Sequence, residues 1–431
     1  MTSSCDPLAL GACMWVNTAT PQPVTTVLDG TVETDVVVIG GGITGMSTAV
    51  HLAEAGLAVV VLEAKDIGWG ASSRNGGHMG SAWTSALPDE AIERCGEERG
   101  ERINTMWAES GALVANLIER HGIDCDYRRP GMVWGATNDK HLGTLEAMAE
   151  QWGRYGHRMD ILTRQAVPDY IASDKYIGGA YSHENVMFNP ASYVRGLARA
   201  AMEAGAVIHA RSPATGIEKS GERWRVSCPA GAVVASKVMI GTNAYTGRLW
   251  PGLDRSFYTV RLLCCASEPY ADHGRSFLLK GIPFHQLASV AMFSIFMDTE
   301  GRMLGGAFPT IGNSGDVDTV ARPFDKWFTT TFPTVPRPHW SHLWHGSLCI
   351  MPDSLPRIYE LAPGVFAAMG YSGTGNARAT IIGREVAKLI ATGDEQACPL
   401  AVSTMKTLPF TGLAKLFLRC VGYPLFRFAG R

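Results

Sequence analysis

The run from Thr34 to Gly77 constrains this chain more than any other. Asp35 to Ile39 reads as a buried strand and Gly40-Gly41-Gly42-Ile43-Thr44-Gly45 as a glycine turn. A helix follows to about Ala55, then a second strand from Ala58 to Leu62, with Glu63 and Ala64 at its end. This is one βαβ unit with the G-x-G-x-x-G spacing and an acid closing its second strand. Gly40 makes the tight turn, Gly42 admits a pyrophosphate to the backbone, and Gly45 lets the helix pack close to the sheet. The unpaired N–H groups and positive dipole end of the helix then face the phosphates. Glu63 accepts hydrogen bonds from an adenosine ribose and repels a 2′-phosphate, which argues against NADP. Dinucleotide binding is therefore predicted, although the fingerprint by itself does not choose between NAD and FAD.

Length and charge bound the rest. The 431 residues suffice for two domains and a large core, and a formal charge of −2 gives no sign of a nucleic-acid partner. No apolar run approaches the roughly eighteen residues of a membrane-spanning helix. Met1 to Val16 lacks a basic start and a long apolar segment, so no signal peptide is read there. The ten cysteines show neither a CxxC pair nor zinc spacing, which predicts reduced thiols, a cytoplasmic setting and no metal site. Cys264 and Cys265 read as two small buried residues rather than a redox pair.

Along the chain, residues 1–33 read as a loosely structured arm with Pro21 and Pro23. After the βαβ unit comes Ile67-Gly68-Trp69-Gly70-Ala71-Ser72-Ser73-Arg74-Asn75-Gly76-Gly77-His78, too glycine-rich for a regular element and suited to bringing backbone near a ligand. Residues 89–121 and 138–154 carry helical periodicity. From Asp126 the texture turns to short strands, Met132 to Trp134 and Tyr176 to Tyr181. A helix from Ala191 to Ala204, a strand Val207 to His209, a hairpin Gly216 to Ser227 and a strand Lys237 to Gly241 come next. Residues 255–335 read as strands again, with a turn at Asp298-Thr299-Glu300-Gly301.

A second anchor lies near the end. Val365 to Met369 reads as a strand, Gly370-Tyr371-Ser372-Gly373-Thr374-Gly375 as a turn, and Asn376 to Ile390 as a helix closed by Gly393. A second positive helix end suits an electron-rich group at the far end of the same cofactor.

Together these pieces resemble the FAD-dependent amine and amino-acid oxidases of the D-amino-acid oxidase superfamily, in particular the branch of γ-glutamylputrescine oxidases and L-pipecolate oxidases. Gly68-Trp69-Gly70-Ala71-Ser72-Ser73-Arg74-Asn75-Gly76-Gly77 matches that branch's G-x-G-A-S-x-R-N-G-G loop. Asn189-Pro190, Thr242-Asn243-Ala244-Tyr245, Glu268-Pro269, Trp344-His345-Gly346, Pro352-Asp353 with Pro356, and the turn Gly370 to Gly375 match too. The resemblance implies an α/β fold: a Rossmann-like FAD-binding domain of the glutathione-reductase type, interleaved with a strand-rich α+β substrate domain. The division it suggests is an arm at 1–33, an FAD-binding domain at 34–125, 186–254 and 341–400, a substrate domain at 126–185 and 255–340, and a tail at 401–431.

It also implies how the loops are used. Ser72, Ser73, Arg74, Asn75, Gly76 and Gly77 would run along the pyrophosphate and isoalloxazine of FAD, with Asn243 among the cofactor contacts. Gly373, Thr374 and Gly375 would face the flavin pyrimidine edge, where a helix start stabilises the charge of reduced flavin. Val207 to Arg211 would include the strand behind the adenine. Three positions depart from relatives. The histidine frequent in the second turn is Thr374 here. The tethering cysteine of some sarcosine oxidases is replaced by Gly346, with Cys349 three residues too late, so FAD is expected to be non-covalent. The lysine that helps hold a carboxylate in sarcosine oxidases is Ala377.

Amine oxidation requires a neutral substrate nitrogen, a carbon placed near the flavin and a dry pocket, so few catalytic residues announce themselves. The candidates are His78, which follows the Arg74 to Gly77 loop, Tyr371 in the second turn, and His285 and Arg261 from the strand-rich region. Structural roles are the competing reading for each. Trp340 to His345 reads as core rather than as an aromatic cage. In the tail, Leu413, Leu416, Phe417, Cys420 and Val421 form an apolar stripe, and every charge beyond Met405 is basic, which suits either the inner face of an anionic membrane or packing of the stripe on the body of the enzyme. The expectation is an enzyme that oxidises the C–N bond of an amine or amino acid, with oxygen or a membrane quinone as acceptor. The alternatives are a flavin dehydrogenase of 2-hydroxy acids and a non-catalytic flavin-binding assembly factor.

Overall fold

The computed structural model describes residues 12–80, 87–287, 293–307 and 317–409. The opening strand is longer than the sequence suggests. Gly30–Ile39 runs parallel to Val59–Leu62 on one side and to Gly231–Ile240 on the other. Val36, Val37 and Val38 are at most 1% exposed, because both faces of this sheet are covered, and so the strand is continuously apolar rather than alternating. The main path of the sheet is 402–403, 357–362, 365–369, 231–240, 30–39, 59–62 and 207–209, with the hairpin 216–228 attached to strand 231–240. Gly45 is required by close approach: a Cβ there would stand 1.9 Å from the carbonyl oxygen of Gly40.

Two helices on this sheet position the site. Ile43–Glu54 follows strand 30–39, and Gly375–Thr392 follows strand 365–369. The two strands point the same way, since each is parallel to Gly231–Ile240, so both helices start at the same edge of the sheet. The helices pack side by side. Ser47 Oγ donates to the Thr380 carbonyl at 2.7 Å, Thr48 Oγ1 donates to the Gly383 carbonyl at 3.2 Å, and a Cβ on Gly383 would come within 2.7 Å of Ser47 Cβ.

The second sheet orders its strands as 340–350, 258–269, 302–307, 293–297, 284–286, 132–136, 178–182 and 159–163. Its neighbours are antiparallel except where Phe284–Gln286 runs parallel to Met132–Ala136. Phe277, Phe284, Phe324 and Phe328, each no more than 1% exposed, fill its core. The chain crosses between the sheets repeatedly, as the interleaved reading predicts.

Several elements differ from that reading. Residues 89–121 form two helices, Pro88–Cys95 and Glu97–Arg120, broken at Gly96, whose φ of +80° no helix interior accepts. Residues 317–331 form a helix, not a strand, and Pro323 lies inside it. Strand Trp340–Ile350, of which 341–350 were expected with the nucleotide-binding part, is hydrogen-bonded along Tyr258–Pro269 in the second sheet. The arm is not loose where it is described: Met14–Asn17 is a short helix, and Cys13, Met14 and Trp15 are at most 4% exposed. The eight cysteines among the described residues are free thiols. No helix among the described residues is long and apolar enough to cross a membrane. The stripe Leu413 to Val421 lies outside the described residues.

Candidate functional site

The two helix starts open into one cavity of about 780 Å³, which runs from Glu63 and Lys65 at one end to the Gly373–Gly375 turn at the other. Gly40, Gly42, Ile43, Thr44, Glu63, Ala64, Ser72, Arg74, Asn75, Gly76, Asn243, Gly373, Thr374 and Gly375 all line it. Of the sequence-predicted binding residues, Gly45, Ser73 and Gly77 lie behind this lining. Their neighbours show why: Gly45 faces the Gly40 carbonyl, and Gly77 accommodates the Trp15 ring, whose Cζ2 would stand 2.3 Å from an added Cβ.

The first turn is held from two sides. The Glu63 carboxylate accepts the Gly41 N–H at 2.6 Å and the Lys65 N–H at 2.8 Å, one through each oxygen. Burial pushes this carboxyl above its ordinary range, and those amides oppose the shift. Ser72 Oγ accepts the Ile43 N–H at 3.0 Å and stands where a Cβ on Gly42 would collide with it, at 2.8 Å. Thr44 Oγ1 meets the Tyr371 hydroxyl at 2.6 Å, joining the two glycine turns across 327 residues. Asn243 Oδ1 accepts the Gly370 N–H at 3.2 Å and ties the end of the central strand to the second turn.

The loop 68–78 is clamped just as closely. Arg74 donates from Nε to the Trp69 carbonyl at 2.8 Å and from Nη1 to the His345 carbonyl at 3.3 Å, and Trp344 Nε1 donates back to the Arg74 carbonyl at 3.0 Å. Trp15 Nε1 donates to the Asn75 carbonyl at 2.9 Å. Asn376 Nδ2 reaches both Asn75 Oδ1 at 3.0 Å and the His78 carbonyl at 2.9 Å, which fixes the loop to the start of the second helix. Strands of the second sheet roof the cavity with Leu262, Phe293, Phe296 and Leu304, and helix 317–331 adds Phe324, so the roof is largely apolar.

The four catalytic candidates separate. His78 lines the cavity with its ring stacked on Phe296 at 4.0 Å between centroids, and burial lowers its imidazole to about 3. Tyr371 lines it too, with its hydroxyl 2.6 Å from Thr44 Oγ1; where Thr44 is the donor of that bond, the Tyr371 O–H is left to donate elsewhere. His285 is fully buried outside the cavity lining, with Nδ1 2.6 Å from Ser294 Oγ and its ring against Trp134. Arg261 is exposed: on its strand Val260, Leu262 and Cys264 face the cavity, and period-two alternation turns Arg261 to the opposite side. Residues 207–211, expected behind an adenine, sit beside strand 59–62 without lining the cavity; Ala214 does so instead.

Among the lining residues to which the sequence assigned no binding role, three carry groups that can bind a ligand. Thr242 and Thr246 present buried hydroxyls that have no hydrogen-bond partner among the described residues. Arg378, one position beyond the residue compared with the sarcosine-oxidase lysine, is only 4% exposed and also lines the cavity. Neither type of signal is visible in a local motif, because each depends on which side chains the fold buries.

An elongated cavity with helix starts along it, an acid at the end of strand 59–62 and two orphaned hydroxyls fits a dinucleotide with an anionic middle. Residues 35–389 match the family model described as FAD dependent oxidoreductase. The chain belongs to this family. Gamma-glutamylputrescine oxidoreductase of Escherichia coli (strain K12) is 32% identical over 389 residues, covering 89% of each chain. The probable oxidoreductase OrdL of Haemophilus influenzae is 29% identical over 84% of each. Among solved structures, glycine oxidase from Geobacillus kaustophilus superposes with a TM-score of 0.71 at 21% identity, covering 86% of this chain and 98% of that one. L-proline dehydrogenase from P. horikoshii gives 0.70 at 20% identity, covering 85% and 95%. The interleaved fold is thus that of the family, and FAD is its cofactor.

Proposed function

We propose that this FAD-dependent oxidoreductase oxidises the C–N bond of an amine or amino acid to an imine, which water then hydrolyses to a carbonyl compound. The observation that carries the reading is the single cavity shared by two helix starts and an apolar roof. The names of its relatives, gamma-glutamylputrescine oxidoreductase and glycine oxidase, support the same donor class.

FAD, when bound, supplies the acceptor for the hydride that leaves the substrate carbon as the nitrogen lone pair forms C=N. The chain's own residues do the rest. Glu63 orders the ribose end, and Ser72 with the backbone of Gly42 and Thr44 faces the phosphates. Thr242 and Thr246 offer hydroxyls to the cofactor's polar groups, and the start of helix 375–392 favours negative charge at the ring end. Phe293, Phe296 and Phe324 exclude water, which favours a neutral substrate nitrogen over an ammonium. His78, held neutral by burial, is a hydrogen-bond partner to the substrate rather than a proton acceptor at neutral pH.

FAD is non-covalent in this reading, since Gly346 stands at the tether position and the Cys349 thiol is buried and shifted upward. The acceptor is oxygen or a quinone. The basic stretch from Lys406 onward would serve the second by contact with an anionic membrane, and truncation after Thr404 with unchanged membrane association defeats that part. The function itself is tested by product analysis. Incubation with amino acids and amines is expected to release ammonia or an amine together with a carbonyl compound trapped by phenylhydrazine. Carbonyl formation from 2-hydroxy acids alone would assign the chain to C–OH oxidation instead.

A further inference from the structure

Arg378 is a buried guanidinium without a counter-charge. It is 4% exposed and lines the cavity, and among the described residues Nη1 has no hydrogen-bond partner and no ion pair to it exists. Its one neighbour of note is the Trp107 ring, 4.6 Å from Cζ, a cation–π contact that supplies no acceptor for its five N–H donors. Burial alone lowers it, to about 9, and no carboxylate opposes that. An uncompensated buried charge is strongly unfavourable, so a residue of this kind is retained where something else completes it.

The cavity's other described charges do not. Glu63 and Lys65 stand at the ribose end, and Arg74 is committed to the Trp69 and His345 carbonyls. No acid among the described lining residues stands near the second helix start to hold a cationic group. Ser110, one turn beyond Trp107, and Gly80 share the lining with Arg378 and give this end of the cavity a small polar lobe beside the apolar roof.

We propose that Arg378 binds a carboxylate of the substrate, so that the enzyme acts on an amino acid rather than on a simple amine. This rests on the C–N oxidation reading and narrows its substrate class. The planar fork of Arg378 suits a two-oxygen anion, and binding one neutralises the charge that the fold leaves uncompensated.

The test titrates the holoenzyme with acetate, propionate and benzoate, each beside its neutral amide, and reads the flavin difference spectrum, which needs no turnover. Carboxylates are expected to perturb the flavin, whereas their amides do not. Arg378→Met should raise the carboxylate Kd at least tenfold, Arg378→Lys should give an intermediate value, and Arg378→Met should melt no lower than the parent because an unpaired buried charge has been removed. If Arg378→Met does not fold, Arg378→Lys is judged by the same criterion of weakened carboxylate binding. Unchanged carboxylate affinity in the folded variant, or no response to carboxylates in the parent, overturns the proposal. So does loss of FAD content with unaltered carboxylate affinity per occupied site, which assigns the guanidinium to the cofactor. A free anion is separated from substrate by kinetics on an amino acid and its amide. Arg378→Met should raise KM for the acid alone, and an equal effect on both that depends on added chloride contradicts the assignment. Because ligand titration and turnover are read separately, failure here does not imply failure of amine oxidation.

Discussion

Thr44 Oγ1 and the Tyr371 hydroxyl lie 2.6 Å apart in the interior, and this bond joins the first helix start to the second glycine turn. Its neighbours are the Ser47–Thr380 and Thr48–Gly383 bonds along the same helix pair, so the two halves of the FAD site are fastened through buried polar groups. Tyr371→Phe leaves Thr44 Oγ1 short of this partner and is expected to lower stability by about 1–3 kcal/mol. Thr44→Val combined with Tyr371→Phe should cost less than the sum of the single changes, since no orphaned hydroxyl then remains. Denaturant unfolding of the four holoenzymes measures the coupling, and strict additivity would show that the bond does not join the turns.

Glu63 uses both oxygens on backbone N–H groups, from Gly41 and from Lys65. Glu63→Gln keeps the shape but turns one acceptor into a donor facing a donor. A loss of about 1–3 kcal/mol follows, which is roughly a 5- to 150-fold weakening of FAD binding if the turn must be intact to bind. Fluorescence titration of apoprotein with FAD checks it, and an unchanged Kd contradicts the role given to this carboxylate.

The pH dependence of stability should carry a histidine signature. His285 is fully buried and neutral, and burial holds it near 3, below its value of about 6.5 in an unfolded chain. Below about 6.5 the unfolded chain binds a proton that the folded one refuses, so stability is full above that pH and declines as pH falls toward 3. The decline per histidine is at most about 1.4 kcal/mol per pH unit, and His78, shifted the same way, adds to it. His285→Gln should flatten the fall in melting temperature between pH 7 and pH 5. An unchanged slope would mean that His285 is protonated in the fold.

Acid precipitation of the holoenzyme should leave its yellow colour in the supernatant, and Cys349→Ser should keep a full complement of FAD. Cys349 is 1% exposed and shifted upward by burial, so little thiolate is available to form a tether. Colour retained on the pellet would overturn the non-covalent reading.

Much of the site was legible because its signals are local. The spacing Gly40 to Gly45, the acid at Glu63 and the turn Gly370 to Gly375 each specify a backbone shape within a few residues, and the structure brings them to one cavity. What escaped depends on tertiary packing. Residues 317–331 looked strand-like from their aromatic and β-branched content, yet Ala321, Phe324, Phe328 and Phe332 repeat at helical spacing and all are buried. Cys13 and Trp15 are ordered by bonds to Ser73 and Asn75, sixty residues away, which no window on the arm contains. Arg261 was misjudged because strand alternation fixes which side chains share a face but not which face meets the cavity. Arg378 has no local signal in the sequence, because its burial against Trp107 without an ion pair among the described residues is a property of the packed helices.

The central claim meets its most direct test in anaerobic stopped-flow mixing of the holoenzyme with a panel of amines, amino acids and 2-hydroxy acids, following flavin absorbance near about 450 nm. Bleaching by at least one amino acid or amine, with none by the hydroxy acids, is the predicted result. Oxidised flavin that persists with every amine and amino acid, or bleaching by a hydroxy acid alone, would contradict the account.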